Sequence, residues 1–144
     1  MTSKGATTAF PSGIGISDHC LMSCAGLTVG ATFDVDLAQQ FGAAMGEEFF
    51  GKGSNVQLGP GVCLARVPTN GRNFEYISGE DPFLGFTMVQ PVIQGIQSKN
   101  VIACTKHYVM NNQETNRGNV DAIVDERTRF EMYYPPFEVG GYWS

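Results

Sequence analysis

The sequence predicts an α/β fold in which parallel strands alternate with helices. Three observations carry this: stretches with apolar residues at three- and four-residue spacing, short apolar runs between them, and glycines gathered at the junctions, such as Gly51, Gly53, Gly59, Gly61, Gly71, Gly79 and Gly118. With 144 residues and 42% hydrophobic content, the chain has material for one core and about one domain.

Asp34, following "VGATF", is placed to cap a helix with Ala38, Phe41, Met45 and Phe49 on its apolar face, and "GKG" closes it. "NVQLGPG" reads as a short strand, followed by a long polar loop, "ARVPTNGRNFEYISGEDP". Asp81 and Pro82 suit the cap and first position of a second helix, with Phe86, Val89, Ile93 and Ile96 facing inward. Pro91 lies inside it. Proline costs about 3 kcal/mol in a helix interior, so the pattern predicts a kink near residues 87–91 or a later start. "VIACT" is a continuous apolar run of the kind buried on both faces of a parallel sheet. Asp125 is placed to cap a third helix, "ERTRFEMYY", which Pro135 and Pro136 stop, while the tail "VGGYWS" reads poorly as structure. The order strand, helix, strand, helix, strand, helix predicts right-handed crossovers in a doubly wound sheet or a barrel.

Nine basic against fourteen acidic residues, with no Lys/Arg-rich run, argue against nucleic acid as a partner. No stretch approaches the roughly 18 apolar residues of a membrane span, and "MTSKGATTAFPSG" lacks the apolar segment of a signal peptide, so neither is expected. Cys20, Cys24, Cys63 and Cys104 are too scattered for a disulfide framework and read as small buried thiols. "HCLMSC" offers His19, Cys20 and Cys24 but no second ligand pair, so no metal is expected. "GIGIS" and "GPGVCL" lack the third glycine of a dinucleotide fingerprint, and neither "GK[ST]" nor "GxSxG" occurs. No cofactor is expected.

In barrels and open parallel sheets, functional groups gather where strands end. That rule places three features on one rim: the "GPG" loop, the "GRNFE" loop with Arg72 and Glu75, and Lys106 with His107 after "VIACT". Singly, Lys106 reads as an exposed strand-end lysine and His107 as a satisfied, partly buried imidazole. Together with Arg72 they suit a ligand rich in hydroxyls, since Arg and Lys only donate and His can donate or accept. Lys106 also admits a Schiff-base alternative of the aldolase type, which needs a free amine produced by burial or a nearby cation such as His107 or Arg72. The carboxylates Glu75, Glu80, Asp81, Glu114 and Asp121 lie in loops with no independent sign of pairing.

"GATFDVDLAQQFGAAMGEEFFGKGSNVQLGPGVCLARVPTNGRNFEYISGEDPFLG", "GIQSKNVIACTKHYVMNNQETNR" and "VDERTRFEMYYPPFE" resemble, in order, the amino-terminal barrel domain of family 3 glycoside hydrolases of the β-glucosidase type. The resemblance divides the chain into an irregular segment at residues 1–28 with an insertion, "ISDHCLMSCAGLT", a partial barrel domain at 29–138, and a divergent tail at 139–144. It implies a partial (β/α)8 TIM-type barrel of about three βα units with parallel strands. A β-glucoside or oligosaccharide would be the substrate, hydrolysed with retention through a covalent glycosyl-enzyme intermediate.

Arg72, Lys106 and His107 match the family's Gly-Arg and Lys-His motifs, whose side chains contact hydroxyls of the terminal glucosyl unit. These are binding roles. The family's nucleophilic aspartate lies in a downstream Ser/Thr-Asp-Trp-like motif, and its acid/base usually in a following domain. Neither motif nor an upstream Asp-Gly appears in these 144 residues, so the resemblance implies a fragment with no catalytic residue of its own, either an inactive piece or a non-catalytic sugar-binding remnant. Retaining hydrolysis needs two carboxyl groups roughly 5–5.5 Å apart, and a closed barrel takes roughly 250 residues.

Overall fold

The computed structural model describes residues 25–142. Helices α1 (Gly26–Gly30), α2 (Val35–Gly51), α3 (Pro82–Gln97), α4 (Glu126–Thr128) and α5 (Pro135–Tyr142) accompany two short strands, β1 (Val56–Gln57) and β2 (Ile102–Ala103). His19, Cys20 and Cys24 lie outside the described residues.

α2 forms where its pattern places it. The Asp34 carboxylate accepts from the N–H groups of Asp36 and Leu37, each at 3.0 Å, satisfying two donors that the first turn leaves free. Ala38 and Met45 are buried, and Phe41 and Phe49 pack against the same cluster. Gly53, at φ +77°, ends the helix in the left-handed conformation that glycine adopts without steric cost.

α3 starts at Pro82, where Asp81 Oδ1 accepts from the Phe83 N–H at 2.8 Å, and runs unbroken past Pro91 to Gln97. The later start suggested by Pro91 does not occur, because α3 is held along its length by packing against α2 and α5. Its buried face includes Met88 and Val92 beside Val89, Ile93 and Ile96, whereas Phe86 is 42% exposed at the edge of the stripe. The two long helices approach so closely that a Cβ on Gly42 would lie 2.2 Å from the Val92 carbonyl oxygen, and one on Gly95 2.3 Å from that of Gln39.

β1 and β2 pair in parallel, Val56 with Ile102 and Gln57 with Ala103, and α3 lies in the connection between them. Beyond these strands the pairing continues as single bridges: Gly61 is flanked by Lys106 on one side and Tyr76 on the other, both parallel. A third parallel segment therefore lies inside the stretch that composition marks as a polar loop. Tyr76, Ile77 and Ser78 are buried there, tied by Ile77 N–H to the Gly61 carbonyl at 2.9 Å and by Ser78 Oγ to the Val62 carbonyl at 2.7 Å. Conversely, the strand expected ahead of α2 is not found among the described residues. Residues 26–30 form the single turn α1, whose Gly30 sits where a Cβ would lie 2.2 Å from the Ile77 carbonyl oxygen.

"VIACT" is buried on one face only. Val101 and Ala103 point into the core shared with α3, while Ile102 is 59% exposed and Cys104 is exposed. Both long helices lie on the same side, and among the described residues no element covers the other. Cys63 is a buried thiol as expected; Cys104 is not, since it alternates onto the open face.

The third helix also departs from its pattern. Asp125 caps α4 as predicted, accepting from Thr128 N–H at 2.9 Å and Oγ1 at 2.7 Å, but α4 passes at once into a π-helical stretch, Arg129–Tyr133. Pro135 and Pro136 then begin α5, which continues to Tyr142. Proline suits a first helical turn because the N–H it lacks has no intrahelical partner there. Among the described residues, no helix is long and apolar enough to cross a membrane.

Candidate functional site

Gly61 organises the site. Its neighbours across the ladder are Tyr76 and Lys106, and a Cβ at this position would lie 2.9 Å from Tyr76 Cδ1. The absence of a side chain lets the "GPG" loop run between the two segments that carry the functional groups. Lys106 is fixed by its own N–H to the Pro60 carbonyl at 3.0 Å and by Val62 N–H to the Lys106 carbonyl at 2.8 Å. The Gly59–Pro60 and Lys106–His107 peptide bonds are cis.

Arg72 arrives from the other side. It follows Gly71, whose φ of +86° closes a short 3-10 turn, Pro68–Asn70, and which bridges to Gln113 on the loop beyond His107. One further 3-10 turn, Asn73–Glu75, brings Glu75 onto the same side as Arg72.

The structure brings all three expected residues together. Arg72 reaches in three directions: Nε donates to Glu75 Oε1, Nη1 to Glu114 Oε1 at 3.0 Å, and Nη2 faces His107 Nε2 at 3.4 Å. Lys106 Nζ lies 3.1 Å from the second oxygen of Glu75. Arg72, Glu75 and Lys106 keep only 15%, 14% and 14% of their side-chain surface exposed, so water screens this triad weakly. Burial pushes the Glu75 carboxyl up, but Arg72 and Lys106 outweigh it and hold the group below the ordinary carboxylate range.

His107 is held as a neutral imidazole. The Tyr76 hydroxyl donates to the Asn111 carbonyl at 2.5 Å, so towards His107 Nδ1, 2.9 Å away, its oxygen can only accept. Nδ1 therefore carries the proton, and the bare Nε2 turns to the Arg72 guanidinium. Burial, then the nearby charges of Lys106 and Arg72, lower the His107 pKa to about 4. Burial likewise pushes the Tyr76 phenol well up, keeping its donated hydrogen in place. Cys63 donates from beneath to the His107 carbonyl at 3.3 Å, and burial pushes its thiol up as well.

Glu75 and Glu114 are paired, Glu75 to both Arg72 and Lys106, and Glu114 to Arg72 and Arg117. The three-residue spacing of Arg72 and Glu75 was the available signal for one of these pairs. Schiff-base chemistry at Lys106 is not supported, because its Nζ is occupied by the Glu75 carboxylate at 3.1 Å. Tyr76 carried no signal, since in sequence it is an aromatic residue in a polar loop.

Residues 5–139 match the family profile described as the glycosyl hydrolase family 3 N terminal domain. The chain belongs to glycosyl hydrolase family 3. It is similar to the beta-glucosidase BoGH3A of Bacteroides ovatus, 44% identical over 132 residues that cover 89% of this chain and 18% of that enzyme. Among solved structures, β-glucosidase 3B of Thermotoga neapolitana in complex with glucose superposes with a TM-score of 0.79 at 44% identity, covering 83% of this chain and 17% of the other. DesR, a β-glucosidase of Streptomyces venezuelae in complex with D-glucose, gives a TM-score of 0.79 at 37% identity, covering 83% and 15%. The family 3 chain thus spans under a fifth of the length of these relatives, and its parallel strands and helices correspond to part of a (β/α)8-type barrel.

Proposed function

We propose that this chain supplies the glucosyl-contacting section of a family 3 β-glucosidase, with Arg72, Lys106 and His107 bonding hydroxyls of the terminal glucosyl ring. The observation that carries the reading is their convergence at one strand end: two directed cationic donors and one neutral imidazole whose Nε2 meets Arg72 only at 3.4 Å, a long contact that a ligand hydroxyl can replace. A ring bearing adjacent hydroxyls, each donor and acceptor at once, matches that set. The two relatives crystallised with glucose, similar over 83% of this chain, support it. The reaction of the whole enzyme is retaining hydrolysis of terminal β-D-glucosyl residues. Within this chain Glu75 and Glu114 are engaged by cations, and by the resemblance the nucleophile and acid/base belong to motifs other than those matched here, so on this reading the section holds the sugar and carboxylates elsewhere in the enzyme cut the bond.

The test is a titration of the chain with methyl β-D-glucoside, followed by NMR, beside an assay with an aryl β-glucoside. Perturbation of Arg72, Lys106 and His107 resonances without turnover is expected. Absence of any perturbation would sink the sugar assignment. Turnover at rates typical of complete enzymes, abolished by Lys106→Ala, would show that the catalytic carboxylates are present here.

A further inference from the structure

Glu75 is the group that both half-buried cations share. One carboxylate oxygen takes the Arg72 Nε–H, three residues away, and the other the Lys106 ammonium, 31 residues away in sequence. Arg72 and Lys106 bring two positive charges and Glu75 returns one. Glu114 cannot substitute for it, being 41% exposed and shared with Arg117. Two uncompensated cations side by side would repel each other and bind a carboxylate or phosphate in preference to a hydroxyl. With Glu75 between them, each is fixed in direction, and the N–H groups left over, beyond those Arg72 gives to Glu75, Glu114 and His107 and Lys106 gives to Glu75, are the donors available to a ligand oxygen.

We propose that Glu75 is a positioning and specificity-determining residue, which orients Arg72 and Lys106 towards the hydroxyls of a neutral sugar and removes the excess charge that would admit an anionic one. This rests on the glucosyl-binding reading above and adds the ligand's charge to it.

The experiment compares methyl β-D-glucoside with methyl β-D-glucuronide, the same ring with a carboxylate on C5, by calorimetric or NMR titration of the full 144-residue chain. The readout is the ratio of the two dissociation constants, which a purely structural role would leave unmoved. The wild-type chain favours the glucoside. Glu75→Gln moves the ratio towards the glucuronide by about tenfold, the order expected of one added charge at a partly buried site. Glu75→Asp keeps the charge but shortens the reach, so it weakens both ligands and leaves the ratio within about threefold of wild type, because the site's net charge is unchanged. Should Glu75→Gln fail to fold, Lys106→Gln provides the opposite displacement: both ligands lose the same donor, and the ratio moves further towards the glucoside. An unmoved ratio in folded Glu75→Gln, or in Lys106→Gln when the former does not fold, overturns the role of Glu75 alone. A wild-type chain that binds neither ligand overturns the glucosyl reading, and this inference with it.

Discussion

The Tyr76 hydroxyl and His107 Nδ1 stand 2.9 Å apart, and because the same hydroxyl is committed to the Asn111 carbonyl, the imidazole is fixed as the Nδ1–H tautomer. His107 thus presents an acceptor, not a donor, to whatever lies beside Arg72. Nitrogen-15 NMR should find Nε2 unprotonated at neutral pH. A protonated Nε2 there would contradict the arrangement.

The pH dependence follows from the same contact. His107 has a pKa of about 4 when folded against 6.5 ordinarily, so the unfolded chain binds more protons between these values. Its stabilising contribution is complete above the ordinary value and lost as pH falls through about 4. Glu75, also lowered on folding, loses its contribution in the same direction, starting near its ordinary 4.5. Denaturation midpoints should therefore decline on acidification from about pH 6.5, with the His107 ring signals staying neutral until about pH 4. Stability that rises on acidification across this window would refute the assignment.

Tyr76→Phe removes the hydroxyl and leaves both the His107 Nδ1–H and the Asn111 carbonyl without this partner. A loss of about 1–3 kcal/mol in urea unfolding is expected, the cost of leaving a buried polar group unsatisfied. The His107 tautomer should become mixed, which the same NMR measurement reads.

Arg72→Lys keeps the charge but cannot serve Glu75, Glu114 and His107 from one planar group. Methyl β-D-glucoside affinity should fall by about tenfold or more, corresponding to about 1.4 kcal/mol. An affinity equal to wild type would show that the fork geometry is not used.

The α2–α3 crossing gives a test of the fold that does not touch the site. Gly42→Ala places a methyl group 2.2 Å from the Val92 carbonyl oxygen and should destabilise by about 1–3 kcal/mol through forced displacement of the helices. Gly51→Ala, at the end of the same helix, meets nothing within 4 Å and should be neutral or stabilising by up to about 1 kcal/mol. Thermal unfolding followed by circular dichroism compares the two, and equal midpoints would deny the close crossing.

Much of this architecture is legible without coordinates, because it depends on local chemistry. Asp34, Asp81 and Asp125 each cap the helix they precede, since a carboxylate satisfies free N–H groups whatever the distant packing. The order of apolar runs likewise places α2, β1, α3 and β2. The elements whose burial differs from their sequence pattern depend on what lies against them. "YIS" is polar by its neighbours in sequence but is buried beside Gly61, and "VIACT", apolar throughout, is covered on one face only.

The candidate site divides along the same line. Arg72, Lys106 and His107 could be named from the sequence because residues at strand ends share a rim, and the resemblance to the family picked out the same positions. That Glu75 also takes the Lys106 ammonium, and that Tyr76 sets the tautomer of His107, was decided by tertiary structure alone. Both contacts join loops more than 30 residues apart, and hydrogen bonding and ion pairing act over a few ångströms of space, not over intervals of sequence.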